Sequence, residues 1–323
     1  MFLNNIGQKL LFIVGKGGVG RTTISTSLAC YFAQKGEKVL VVQWSLNDTI
    51  SPLFSLPQCS HKESALPCGF SVMNFSASEA IREYFVDHLK MRITYSLVIE
   101  NRHVQRLIQA APGIQELFFL GRLFWLLELA QSEKGYSYDR IIVDAPATGH
   151  GISLFGIAPA VAQLGMTGPL ATECERVTSM LLDKNKTGIL VVTLPEELPV
   201  EECIESVPNI FNQLKRLPLA ILVNQSINSC YFSDLNFKNE SWYLNLKETF
   251  QNKKSSFELD LIMNNLLKRN MMEKKLKNWA EKFSVEKNAE LPIYYLPDVT
   301  LLHKIENHLS IIQTLTKIFA NLV

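Results

Sequence analysis

Five apolar residues, Leu10-Leu-Phe-Ile-Val14, run directly into Gly15-Lys-Gly-Gly-Val-Gly-Arg-Thr-Thr23, and a helix-forming stretch from Ile24 to Phe32 follows at once. Few local patterns constrain a fold so tightly. A strand, a glycine-rich turn and a helix in that order bring consecutive backbone N–H groups and the positive end of a helix to one point, which makes a phosphate cradle. Gly15, Gly17, Gly18 and Gly20 let the backbone pass close to a ligand, with the N–H groups around Lys16 and Val19 as donors. Thr22 stands where a hydroxyl ligates Mg²⁺, and Thr23 where it reaches an adjacent phosphate oxygen. Arg21 occupies the position at which such loops carry lysine. It keeps the charge on the outer phosphates, but its planar fork is longer than the point charge of an ammonium.

A second segment reinforces the reading. Asp139-Arg-Ile-Ile-Val-Asp-Ala-Pro-Ala-Thr-Gly-His150 is a strand that ends on an acid and passes into a glycine-containing turn, so Asp144 is placed to hold Mg²⁺ and the turn to sense the terminal phosphate. ATP and Mg²⁺ are therefore the expected ligands. Further apolar runs at Lys38–Val42, Gly188–Thr193, Leu219–Val223 and Ile293–Leu296 alternate with helical stretches, and Gly69–Phe75 is a short extended piece. Continuous apolar strands alternating with helices predict a doubly wound, mostly parallel α/β sheet, with phosphate at the carboxyl ends of its strands. Two long helical blocks interrupt the pattern, at about 76–135 and 235–285. The first opens on Ser76 and Glu79, which have capping-box spacing, and continues as an amphipathic helix from Ala77 to Leu89. The expected organisation is one P-loop ATPase domain over residues 1–323, carrying an inserted helical subdomain.

Composition narrows the class. Thirty-two basic and 31 acidic residues leave a net charge of +1, so no global field points to nucleic acid. Six scattered cysteines contain no C-x-x-C, which argues for reduced thiols in a cytoplasmic protein, and not for a disulfide framework or a zinc knuckle. The opening residues, Met1 to Lys9, are too short and polar for a signal peptide, and no run approaches the ~20 apolar residues of a membrane span. Met263, Met271 and Met272 read first as ordinary helix packing and second as an adaptable hydrophobic surface; Leu301 to Val323 reads as an amphipathic helix packed on the core.

Taken together, the loop with Lys16 in its second position, the segment Asp144–His150 and Val192-Thr-Leu-Pro-Glu-Glu-Leu-Pro-Val-Glu-Glu202 resemble the arsenite-pump and tail-anchored-protein-targeting ATPases, in their bacterial branch. The resemblance extends to Ala111–Leu117 and to Leu222-Val-Asn-Gln225. It implies that Asn224 contacts adenine and that Pro297 lies in the opposite wall of the adenine pocket. It also implies a dimer, homomeric or built with a paralogue, in which Lys16 reaches the partner's nucleotide, and a protein client of hydrophobic or membrane-associated character.

Departures from that family are equally specific. Its first switch follows the second strand and carries an aspartate that orients the attacking water, but the matching stretch is Gln43-Trp-Ser-Leu-Asn-Asp48, with Ser45 in the aspartate's place. Asp48, three residues later, takes that role only through a shifted backbone. Neither the paired cysteines of a metalloid site nor an intersubunit zinc motif is present, and the segment between His150 and Thr187 is short for a client groove. The expected function is an ATP–Mg²⁺-dependent homodimeric switch with slow hydrolysis, its catalytic groups being Lys16, Arg21 and Asp48. A nucleotide-binding protein that no longer hydrolyses is the main alternative, and a partition-type ATPase a lesser one.

Overall fold

A computed structural model of the protein describes residues 3–88, 101, 113–130, 135, 137–146, 148–162, 169–226, 253–299 and 308–321. The apolar runs form the strands β1 (Leu10–Gly15), β2 (Val39–Gln43), β5 (Arg140–Asp144), β6 (Thr187–Thr193), β7 (Ala220–Ser226) and β8 (Ile293–Pro297). The extended piece forms β4 (Ser71–Asn74), and a two-residue strand, β3 (Ser64–Ala65), pairs with it antiparallel. Two residues are too few for a period to show, so β3 is invisible in the sequence. The sheet order is β3-β4-β2-β5-β1-β6-β7-β8, and every pairing except β3 with β4 is parallel. This is the doubly wound, mostly parallel α/β architecture of P-loop NTPases. The chain leaves β1 toward one side of the sheet and returns to β6 on the other, so the loop after β1 lies at the topological switch point.

Both faces are covered. Leu10, Phe12 and Val14 of β1 face one core, while Leu11 and Ile13 face the other, as the two-residue period of a strand demands. The second core is closed by α1 (Arg21–Gln34) through Ile24, Leu28 and Phe32, and by the helix His308–Asn321 near the end of the chain through Ile312, Leu315 and Phe319. That late helix lies along α1, where Thr316 Oγ1 donates to the Ser27 carbonyl at 3.3 Å. Its described part thus packs on the core, as the sequence predicts for Leu301 to Val323; 301–307 and 322–323 lie outside the described residues.

The first face carries α2 (Ala77–Glu83), α3 (Ile114–Phe124), α4 (Thr148–Ala162), α5 (Pro169–Leu182), α6 (Glu197–Leu214) and α7 (Lys253–Lys287), which makes His308–Asn321 α8. The amphipathic stretch that begins at Ala77 is α-helical only to Glu83 and continues as a π-helical turn over Tyr84–His88; Leu89 lies outside the described residues. Its expected capping box is not made: the Ser76 hydroxyl meets Ser78 Oγ at 3.0 Å, and no side chain caps the helix. Phe119, Leu120 and Leu123 of α3, with Trp125 and Leu126 beyond it, are buried in the same core as Phe12 and Val14. Met263 is buried and Met272 packs against the core, whereas Met271 is exposed. No helix among the described residues is long and apolar enough to cross a membrane.

Candidate nucleotide site

The cradle depends on two close approaches. A Cβ on Gly15 would lie 2.2 Å from the Val192 carbonyl oxygen of β6, and one on Gly20, where φ is 92°, would lie 2.4 Å from Asn224 Nδ2. A backbone contact requires glycine at Gly15, and the positive φ requires it at Gly20, where a Cβ would also displace the Asn224 amide. Gly17 and Gly18 are exposed at the loop's tip, whereas Val19 is buried and anchors the loop to the second core. Gly20 caps α1 with no side-chain hydrogen bond, so the N–H groups of the first turn face the loop uncapped.

Asp144 ends β5 and is 8% exposed. The Thr22 hydroxyl donates to its Oδ2 at 2.7 Å, and the Gln43 amide donates to the same oxygen at 3.3 Å. The second contact follows from sheet register, because β2 and β5 pair Gln43 with Asp144 directly. Burial raises the Asp144 carboxyl above its ordinary pKa, against the opposing effects of Thr22, Arg21 and Gln43. A buried carboxylate beside a hydroxyl offers the hard oxygen donors that suit Mg²⁺, and a cation there would favour the charged form. The residues present therefore fit the ion that the sequence implies.

Arg21 is partly buried, and Nη1 donates to the Ala145 carbonyl just beyond β5. Burial lowers the guanidinium's pKa while the Asp144 charge raises it. Thr23 is half-buried one residue beyond Thr22 in the same turn. Asn224 Nδ2 donates to the Val19 carbonyl at 2.9 Å, tying the end of β7 to the loop. Pro297 ends β8, in register with Ser226 of β7. The structure thus gathers Arg21, Thr22, Asp144 and Asn224 around the loop, with Pro297 at the same edge of the sheet.

Two other residues are placed differently. Lys16 Nζ pairs with Glu202 Oε1 of α6 in its own chain, at 2.9 Å. Asp48 is 2% exposed, and its carboxylate accepts backbone N–H groups from Ile50 at 2.8 Å, Ser51 at 3.2 Å and Cys59 at 2.9 Å. Burial by itself would raise its pKa, but hydrogen bonding from the Ser51 side chain, then from Cys59 and the Ile50 backbone, outweighs it and holds the carboxyl below its ordinary value. Ser45 is exposed and its hydroxyl donates to the Asn47 carbonyl at 2.6 Å.

Sequence reasoning missed Gln43, Ala145 and Glu202. Only Gln43 left a signal, as the one polar residue of a strand that is otherwise valine and leucine. Ala145 acts through its carbonyl, which no side-chain pattern reveals, and Glu202 is one acid among several in α6.

A family model described as anion-transporting ATPase matches residues 8–168, which include the loop and the segment after β5. ATPase BagA of Mycobacterium tuberculosis is 31% identical over 229 residues, covering 68% of this chain and 66% of that protein. ATPase ASNA1 homolog 2 of Paramecium tetraurelia is 27% identical over 242 residues, 62% of this chain and 70% of that protein, and ATPase ASNA1 homolog of Babesia bovis is 33% identical over 151 residues, 46% and 38%. With its glycine cradle, its buried acid at the end of β5 and these matches, the chain belongs to the anion-transporting ATPase family.

Proposed function

We propose that the protein is an ATP–Mg²⁺-dependent switch that works as a cytoplasmic homodimer and hydrolyses slowly, taking up or releasing a protein client through the blocks that the sequence reads as helical, at about 76–135 and 235–285, of which 89–100, 102–112, 131–134 and 235–252 lie outside the described residues. The observation that carries the reading is the hydrogen bond of 2.7 Å between Thr22 and the buried Asp144 at the mouth of an uncapped helix. Bound Mg²⁺ would supply positive charge against the outer phosphates, held by Thr22 and Asp144. Arg21 adds a second positive group to those oxygens, and Asn224 sets the end of β7 where the resemblance puts adenine.

A second reading, a nucleotide-holding protein without turnover, draws support from Asp48. Its carboxylate is engaged by Ile50, Ser51 and Cys59 of its own loop, and Ser45 lacks a carboxylate, which leaves neither to orient water.

The binding claim is tested by thermal unfolding with and without ATP–Mg²⁺. A ligand at a hundredfold excess over its dissociation constant stabilises the native state by about 2.7 kcal/mol, so a rise in Tm is expected. Asp144→Asn should lose most of the Mg²⁺-dependent part of that rise. No rise in nucleotide-free wild type would overturn the proposal.

A further inference from the structure

Arg21 is the residue at which this loop departs from the lysine-bearing pattern, and its contacts lead away from the loop. Its Nη1 donates to the carbonyl of Ala145, a residue 3% exposed whose own N–H donates to Ile13 of β1 at 3.3 Å. The next carbonyl, that of Pro146, lies only 2.8 Å from where a Cβ on Gly151 would sit, so the first turn of α4 rests on this turn. Further along α4, Ile157 Cγ2 comes within 3.5 Å of the Cβ position at Gly113, the residue that opens α3. From the phosphate loop to the inserted helices, successive contacts run through Arg21, Ala145, Pro146 and α4.

The chemistry of the side chain completes the case. A guanidinium has five N–H donors in a rigid plane, whereas an ammonium has one nitrogen on a flexible stem. Ala145 takes one of those donors, and the fork leaves others for an anion in the cradle. Resting on the nucleotide reading above, we propose that Arg21 bridges an outer phosphate oxygen and the Ala145 carbonyl at once, so that filling the loop fixes the turn after β5 and the first turns of α4. The substitution thereby gives this chain a direct tie between phosphate and the helices that the reading above gives to a client.

Amide hydrogen exchange tests the proposal on the full chain, with adenylyl imidodiphosphate and Mg²⁺ as the probe, in wild type and Arg21→Lys. In wild type the nucleotide should slow exchange in both 15–24 and 145–156. In Arg21→Lys the protection of 15–24 should remain while that of 145–156 is largely lost. Without nucleotide, Arg21→Lys should already speed exchange in 145–156 by about tenfold, as expected for a lost hydrogen bond to a charged donor, and this arm holds even where the variant binds poorly. Protection of 15–24 alone in wild type, or an Arg21→Lys pattern equal to wild type in both states, overturns the bridge and leaves nucleotide binding standing. No protection of 15–24 in wild type overturns the nucleotide reading and the bridge together.

Discussion

At the scale of single residues, the proposed slow hydrolysis rests on two positions. Ser45 cannot orient water as a carboxylate does, and Arg21 presents a fork where the loop's pattern carries a point charge. Losing one transition-state interaction of about 3–4 kcal/mol slows a reaction by two to three decades. Single-turnover hydrolysis is therefore expected to be slow or absent in wild type, little changed in Arg21→Lys or Ser45→Asp alone, and raised in the double variant. A rapid wild type whose turnover disappears in Asp48→Asn would sink this expectation. The structure assigns Asp48 a different task. Asn in its place would set its amide N–H₂ against a backbone donor, so Asp48→Asn should destabilise the protein by about 1–3 kcal/mol in denaturant titration. The sign of the pH dependence follows from the depressed pKa. Asp48 contributes stability above the unfolded value of about 3.9, and that contribution is lost as pH falls through its lower folded value. Asp144, raised by burial, acts in the opposite sense: its protonated form is favoured in the fold, and its contribution is lost as pH rises through the folded pKa.

At the scale of elements, α3 is joined to the loop after β2 by aromatic packing. Trp44, next to Ser45, stacks on Phe119 of α3 with ring centres 5.0 Å apart, and both rings meet Phe75 edge-on, at 5.4 and 4.9 Å. Phe119 is fully buried. Phe119→Ala should therefore cost about 3–5 kcal/mol of stability, the value for truncating a core aromatic, and should do so in a single cooperative transition. A loss below 1 kcal/mol, measured by chemical denaturation, would mean that α3 is not part of the core. The β2–β5 register acts at the same scale. It sets Gln43 beside Asp144 with no help from loop chemistry, and a shift by one residue would turn Gln43 to the opposite face.

The whole molecule enters through Lys16. The resemblance places this side chain across a dimer, yet here it pairs with Glu202 of its own chain, and both side chains are partly exposed, 28% and 36%. A pair so open to solvent is worth at most about 1 kcal/mol, small enough for a partner's phosphate to displace. Nucleotide-dependent dimerisation, followed by sedimentation with a non-hydrolysable analogue, should weaken in Lys16→Ala and strengthen by up to about fivefold in Glu202→Gln. An unchanged dimer fraction in Lys16→Ala would confine the lysine to its own subunit.

Much of this protein is legible along the chain because the governing physics is local. A strand, a glycine loop and a helix in succession create the cradle wherever the rest of the fold goes, and continuous apolar runs declare a sheet buried on both faces. Thr22 and Asp144 could be paired from sequence because Asp144 ends one strand and Thr22 opens the helix that follows the glycine loop after another, and a parallel sheet collects both at its carboxyl ends. The remaining features depend on which distant segments meet. Asp48 reads as a spare carboxylate until the backbone from Ile50 to Cys59 folds around it, and Glu202 becomes Lys16's partner only when α6 packs beside the loop. Arg21 shows its departure from lysine in the sequence, but its partner is a backbone carbonyl at Ala145, 124 residues away. Every residue carries that acceptor, so only tertiary structure could select one.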